Sequence, residues 1–169
     1  SNTYVAYIDD GMPETFGWNN EKWFEFMAEI NKVLKNKSLQ LVVKLHPRRE
    51  VELLKPFFEK NNITYFQDLD FKNYLHHSLF VICLYSSTIV YALILNKKVK
   101  SPRWGLSEDV LKQYPEDIIE YYSDKKTFET RLLNVDVDER LIQNYVQDSV
   151  GAVDGKSVDR VVAEIIKNV

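Results

Sequence analysis

The sequence predicts an α/β protein with a Rossmann-like parallel sheet, helices on both faces of the sheet and a helical C-terminal region. Short β-rich segments alternate with segments whose apolar residues recur at helical spacing, and this alternation is typical of parallel sheets. The segments Leu39–Leu45 and Leu79–Leu84 are almost continuously apolar, as expected of strands that are mostly buried. A chain of 169 residues suits one domain with a single core, so we predict one domain over residues 1–169.

Each predicted strand or helix is indicated by a local pattern of residue types and spacing. Thr3–Ile8 is β-rich and runs into Asp9-Asp10-Gly11, which is a turn signal. From Asn20, apolar residues recur at helical spacing, at Trp23, Met27, Ile30 and Leu34. The other predicted strands are Leu39–Leu45, Ile63–Phe66, Leu79–Leu84 and Lys97–Ser101. The other predicted helices are one between Arg49 and Lys60 that is kinked or restarted at Pro56, one or two turns over Asp70–Ser78 and one over Ser86–Leu95. The remainder is predicted to be largely helical, and its last helix, near Ser157–Lys167, places Val158, Val161, Val162 and Ile165 on one face.

Composition excludes several classes of protein. With 45% hydrophobic and 13% aromatic residues the chain is not disordered, and a net charge of -3 disfavours a general nucleic-acid binder. Cys83 is the only cysteine and lies in an apolar run, which predicts a buried thiol and a reducing compartment. We see no apolar stretch of membrane-helix length and no signal-peptide pattern, so a cytoplasmic location is the expectation.

Three polar segments follow predicted strands, where ligands bind in parallel sheets. One of them, Ser86-Ser87-Thr88, comes between a buried strand and a helix. Its hydroxyls could simply cap that helix. The same geometry, with free N–H groups and the positive end of the helix dipole, also forms an anion site that fits a phosphate.

The second segment, His46-Pro47-Arg48, ends the strand Leu39–Leu45, because Pro47 removes a donor and favours an extended backbone before it. His46 can donate a hydrogen bond to a phosphate oxygen, and an arginine can hold a phosphate through two N–H groups. Lys44 and Arg49 add positive charge, although strand alternation sends Arg49 to a different face from Lys44 and His46. A solvated strand end is the alternative interpretation.

The third segment is Asp9-Asp10-Gly11, which suits a turn with Gly11 at positive φ or, less simply, a catalytic base or a metal site. We assign no metal, since an Asp-Asp pair near Glu14 is a weak signature. Adjacent histidines at His76-His77 diverge in direction and are assigned no site. The sequence has no glycine-rich phosphate loop, which disfavours NAD, FAD and ATP in their commonest binding modes.

Taken in order, "KLHPR", "SLFVICLYSSTIVYALILNKKV" and "DGKSVDRVVAEI" resemble the C-terminal, donor-binding half of GT-B glycosyltransferases, notably bacterial sialyltransferases, polysialyltransferases and the glycerophosphotransferases of teichoic acid synthesis. The resemblance implies that His46-Pro47 and Ser86-Ser87-Thr88 contact the phosphates of a cytidine nucleotide. Phosphate-binding residues would then be Lys44, His46, Pro47, Arg48, Ser86, Ser87 and Thr88, with His46 and Asp10 as catalytic candidates.

The same resemblance implies a role in capsule or lipooligosaccharide synthesis with a CMP- or CDP-linked donor as substrate, and no other cofactor. It implies a second, N-terminal domain that binds the acceptor, without which this chain should be inactive, and it allows peripheral membrane association at the inner face. The sequence departs from the family at Ile89-Val90-Tyr91-Ala92, where many members carry a ribose-binding glutamate. Two alternatives stay open: a GT-B-like sugar-nucleotide epimerase, and a flavodoxin-like or receiver-type regulatory domain.

Overall fold

A computed structural model describes residues 4–11, 16–106, 110, 112–134, 137–157, 159 and 163. Its centre is a six-stranded sheet in which every pair of neighbouring strands is parallel. The strands are β1 (Tyr4–Ile8), β2 (Gln40–Lys44), β3 (Thr64–Phe66), β4 (Ser78–Cys83), β5 (Val99–Pro102) and β6 (Glu120–Tyr122), and the helices are α1 (Asn20–Asn36), α2 (Val51–Asn61), α3 (Phe71–His76), α4 (Ile89–Ile94), α5 (Lys125–Arg131) and α6 (Glu139–Val150).

The strand order is β3-β2-β1-β4-β5-β6, which confirms the predicted Rossmann-like sheet. A flavodoxin-like sheet has a different order, so the topology argues against the regulatory-domain alternative. The chain builds outward from β1 to β3, then returns to place β4 on the other side of β1. The loops after β1 and β4 therefore leave the sheet in opposite directions and open a crevice between them, which is where such sheets bind ligands.

Strand alternation sorts the core into two layers, one on each face of the sheet. Odd-numbered residues of β1 and β2, such as Tyr7 and Val43, pack with α1, α2 and α5. Even-numbered residues, such as Ala6 and Val42, pack with α3, α4 and α6. Cys83 is buried in this second layer, as predicted.

The structure corrects three sequence predictions. Pro56 lies inside α2, which continues as a single helix instead of restarting there. The helix expected from Ser86 begins only at Ile89, because Ser86–Thr88 form a turn. The remainder after β5 is not largely helical, since it contains β6 and a run of turns before α5. Most of the predicted last helix, near Ser157–Lys167, lies outside the described residues.

In the part of the chain that the structure describes, no helix has the length and apolarity that crossing a bilayer requires.

Candidate functional site

The three predicted strand ends lie side by side at the carboxyl edge of the sheet. Register pairs Ile8 of β1 with Lys44 of β2 and with Cys83 of β4, so the loops that follow start at the same height. Neighbouring strands are about 5 Å apart, so the loops after β2 and β4 lie about 10 Å apart, with the end of β1 between them. This arrangement places His46, Asp10 and the Ser86–Thr88 turn on loops that leave neighbouring strands at the same edge of the sheet.

The backbone of the His46 loop holds the imidazole in one orientation. The backbone N–H of Arg48 donates to Nδ1 of His46 at 3.1 Å, and the backbone N–H of Arg49 donates to the His46 carbonyl at 3.0 Å. Because Nδ1 accepts a hydrogen bond, the neutral ring carries its proton on Nε2. His46 is half-buried, so Nε2–H is a donor at the rim of the sheet.

Gly11 makes this placement of the ring possible. Its φ is +79°, and a Cβ added to Gly11 would lie 2.3 Å from Cγ and 2.5 Å from Cβ of His46. Only glycine fits both the backbone conformation and this contact. The predicted positive φ at Gly11 is confirmed, and its reason is the contact with the histidine as well as the turn.

Gln67, which follows β3, is a residue that sequence reasoning missed. Its Nε2 donates to the carbonyl oxygens of His46, Pro47 and Arg49, at 3.0–3.1 Å. One side-chain amide therefore fixes three of the four residues in the loop. Its only sequence signal is a polar residue directly after a strand, and nothing in the sequence connects that residue with the His46 loop.

Asp9 is buried below the loop and does not line the crevice. Its Oδ2 accepts from the backbone N–H of His46 at 3.2 Å and lies 3.4 Å from Nε of Arg49. Burial raises the pKa of Asp9, although the charge of Arg49 and the backbone N–H groups of His46 and Gly11 oppose that shift. Asp9 therefore supports the loop that carries His46.

Asp10 lies at the rim, over the end of β1. Burial raises the pKa of both Tyr7 and Cys83, and the negative charge of Asp10 raises both further. These two side chains lie on opposite faces of the sheet, so a carboxylate that acts on both is placed above the strand end. Asp10 is half-buried, and its role as a catalytic base stays a prediction.

The Ser86–Thr88 turn is held by its own hydroxyls. Oγ of Ser86 accepts from the Thr88 backbone N–H at 3.2 Å and lies 2.8 Å from the Thr88 hydroxyl. The backbone N–H of Ser86 donates to Oε1 of Gln113, a contact that no local sequence pattern predicts. Thr88 is the N-cap of α4 but makes no side-chain cap hydrogen bond, and Ser87 is exposed toward solvent.

The predicted basic cluster is divided between two places. Arg48 and Arg49 line a cleft of about 160 Å³ beside α1 and α2, and Lys44 and His46 are not among its lining residues. Nζ of Lys44 bonds the Leu45 carbonyl at 2.7 Å, and burial lowers the pKa of the lysine. Pro47 is exposed between the two groups.

His76 and His77 stack edge to face on each other at the amino end of the sheet, far from the crevice. Among the described residues, no group of three or more His, Cys, Asp or Glu is placed to hold a metal ion.

Comparison with known proteins shows the fold. No family model matches the chain, and no curated protein matches it. Among solved structures, the chain is similar to the Methanocaldococcus jannaschii UDP-GlcNAc 2-epimerase in complex with UDP-GlcNAc and UDP, with TM-score 0.57 and 15% identity over 85% of this chain. It is also similar to a variant of the wall teichoic acid polymerase TagF, with TM-score 0.58 and 15% identity over 99% of this chain.

The chain shares the α/β fold of both solved structures. It spans 44% of the length of each.

Proposed function

We propose that this chain is the nucleotide-donor-binding half of a GT-B glycosyltransferase that builds a bacterial surface polysaccharide or lipooligosaccharide. The observation that carries the proposal is the meeting of the His46 loop, Asp10 and the Ser86–Thr88 turn at the switch point of a sheet with the GT-B fold. An anionic leaving group fits this crevice, because an imidazole N–H and the hydroxyl group of the exposed Ser87 are available as donors.

The mechanism is electrostatic. As the bond between sugar and nucleotide breaks, negative charge grows on the leaving phosphate. His46 donates its Nε2–H to a phosphate oxygen, and a protonated imidazole adds positive charge. The exposed Ser87 adds donors from the β4 side of the crevice. Asp10 is the candidate base that takes a proton from the acceptor hydroxyl, and the acceptor itself would bind to a second domain.

The donor is proposed to be a CMP- or CDP-linked compound, a preference that rests on the family resemblance of the sequence. Full-length enzyme of this kind would act in the cytoplasm, at the inner face of the membrane. This chain alone should bind the nucleotide weakly and should not transfer the sugar, because half of the GT-B cleft is absent from it.

Titration of the ¹⁵N-labelled chain with CMP, CDP, UMP and UDP, followed by NMR, tests the binding site. We expect shifts at His46 and at Ser86–Thr88, saturation at millimolar concentrations and weaker binding at higher salt. His46→Ala should abolish the shifts. His76→Ala is the matched control, because it removes an exposed histidine far from the crevice and should leave them unchanged. If saturating nucleotide moves neither cluster, the proposal fails.

A sugar-nucleotide epimerase is the second candidate, since one of the similar structures is a UDP-GlcNAc 2-epimerase with a TM-score close to that of the polymerase. Product analysis with the full-length enzyme separates the two functions. Epimerised sugar without transfer supports the epimerase. Transfer to an acceptor, reduced in the His46→Ala variant while the protein stays folded, supports the transferase.

A further inference from the structure

The cleft beside the His46 loop, here named the arginine cleft, is lined by Gly11, Asn20, Arg48, Arg49, Glu50, Leu53 and Leu54. It lies beside α1 and α2, and neither Lys44 nor His46 is among the residues that line it. We propose that the arginine cleft is a separate site for one phosphate-sized oxyanion, such as inorganic phosphate or a phosphate monoester group. This inference does not rest on nucleotide binding at His46.

Arg49 supplies the main donor. Its side chain is 7% exposed, and its guanidinium carbon lies over the Trp23 ring, 4.5 Å from the ring centre, as in a cation–π contact. Nη1 reaches Oδ1 of Asn20 only at 3.5 Å, and Nη2 has no hydrogen-bond partner among the described residues. A buried guanidinium with donors left over is expected to have a partner that the protein itself does not supply.

The buried carboxylate of Asp9 compensates this charge only in part. It meets Nε of Arg49 at 3.4 Å, and its Oδ1 has no partner among the described residues, so the pair lacks the two parallel hydrogen bonds of a bidentate contact. Burial also raises the pKa of Asp9, which means that burial destabilises the ionised form of this carboxyl group. Arg49 lines the cleft, so positive charge that Asp9 pairs only in part lies at the cleft wall.

The start of α2 adds further donors. This helix has 11 residues, and Glu50 precedes it with an extended backbone and no side-chain cap hydrogen bond. The N–H of Leu53 bonds the Glu50 carbonyl, which leaves the N–H groups of Val51 and Glu52 at the positive end of the helix dipole. Arg48 contributes a second cation at the exposed mouth of the cleft.

The volume of the arginine cleft and the arrangement of its donors determine which ligand fits it. A volume of about 160 Å³ is below the range of pockets that hold whole small molecules, so only an ion or one group of a larger ligand enters. A tetrahedral phosphate can present oxygens to Arg49, to Arg48 and to the helix N–H groups at once, whereas a carboxylate has only two oxygens. The exposed carboxylate of Glu50 also lines the cleft and opposes the anion.

Phosphate titration of the labelled 169-residue chain at constant ionic strength and neutral pH tests the site, with NMR signals of Val51, Glu52 and the Arg49 side chain as the readout. Arg48→Ala should weaken binding by about threefold, and Glu50→Gln should strengthen it by about threefold, as expected for single exposed charges. Lys55→Ala is the matched control, because Lys55 is exposed on α2 and does not line the cleft. It removes the same charge and should leave the affinity unchanged.

Acetate at the same ionic strength should shift these signals less than phosphate, and His46→Ala should leave their response to phosphate intact. The proposal is overturned if saturating phosphate does not shift the signals of Val51 and Glu52, if Lys55→Ala weakens binding as much as Arg48→Ala, or if acetate binds equally well. Nucleotide binding at His46 and Ser86–Thr88 is read from different signals, so either proposal can fail while the other stands.

Discussion

Replacing Gly11 with alanine should separate two costs that glycine avoids at the centre of the candidate site. The first is conformational, because an L-residue at a φ of +79° costs about 1–2 kcal/mol relative to its usual backbone regions. The second is steric, because the new methyl group would lie 2.3 Å from Cγ of His46, where unstrained carbon atoms are about 3.5–4.0 Å apart.

Rotating the histidine side chain cannot relieve this overlap, since Cβ of His46 itself would be only 2.5 Å from the new methyl group. The backbone of one of the two loops must move instead. Overpacking of this kind costs about 1–3 kcal/mol, so the total loss in free energy of unfolding for Gly11→Ala should be about 2–5 kcal/mol. The displaced ring should also lose its hydrogen bond from the Arg48 N–H and, with it, its fixed tautomer.

Gly151→Ala is the matched control. Gly151 has a φ of +78° and a ψ of −162°, with nothing within 4 Å of the added Cβ, so this variant has a conformational cost alone, about 1–3 kcal/mol. Urea denaturation of both variants measures the two totals, and their difference gives the steric cost. If Gly11→Ala is no less stable than Gly151→Ala, the contact with His46 does not constrain the loop and the reasoning is wrong.

Two further predictions concern buried charges. Because burial raises the folded-state pKa of Asp9 above its usual value of 3.8, its contribution to stability is fully present below pH 3.8 and is lost as pH rises through the folded-state pKa. Wild-type stability relative to Asp9→Asn should fall across that window, and an NMR carboxyl titration with a midpoint below 3.8 would contradict this. Lys100, which is 2% exposed and lies 2.7 Å from Oε2 of Glu120, forms a buried ion pair between β5 and β6. Lys100→Met should lower the free energy of unfolding by about 3–5 kcal/mol, because it leaves the carboxylate of Glu120 without its cation. In urea denaturation, adding Glu120→Gln to this variant should restore about half of the lost stability or more. A double variant as unstable as Lys100→Met would show that the ion pair is not the cause.

The sequence predicted the parts of the fold that depend on neighbours along the chain. Strands β1, β2 and β4 are short, mainly apolar runs, and these three strands and β5 were each expected within two residues of the observed start. The strand β6 was missed because Glu120–Tyr122 is only three residues long and carries a glutamate and two tyrosines. That glutamate is compatible with a strand only because Lys100 neutralises it from β5, which is a contact across 20 residues.

The same difference between local and long-range contacts explains which parts of the candidate site were predicted from the sequence. The His46-Pro47 turn and the Ser86–Thr88 turn were identified because their residue types act locally. The residues that hold them were not, since Asp9, Gln67 and Gln113 act from 37, 21 and 27 residues away. Such partners are fixed by the strand order, which periodicity does not reveal.

Asp9 and Asp10 illustrate what the strand order decides. As adjacent carboxylates they could have formed a metal site, a turn or a catalytic pair. The sheet places Asp9 next to β2, where its Oδ2 accepts a hydrogen bond from the His46 backbone N–H and pairs with the side chain of Arg49. Burial raises the pKa of Asp9 at this position. The Asp9 side chain is fully buried, so it presents no surface to the crevice and cannot act as a second metal ligand or as a base for a bound substrate. Asp10 is the carboxylate left at the rim, beside the two loops that are proposed to hold a phosphate, so a carboxylate base from this chain would have to be Asp10, with His46 as the other titratable group of the candidate site.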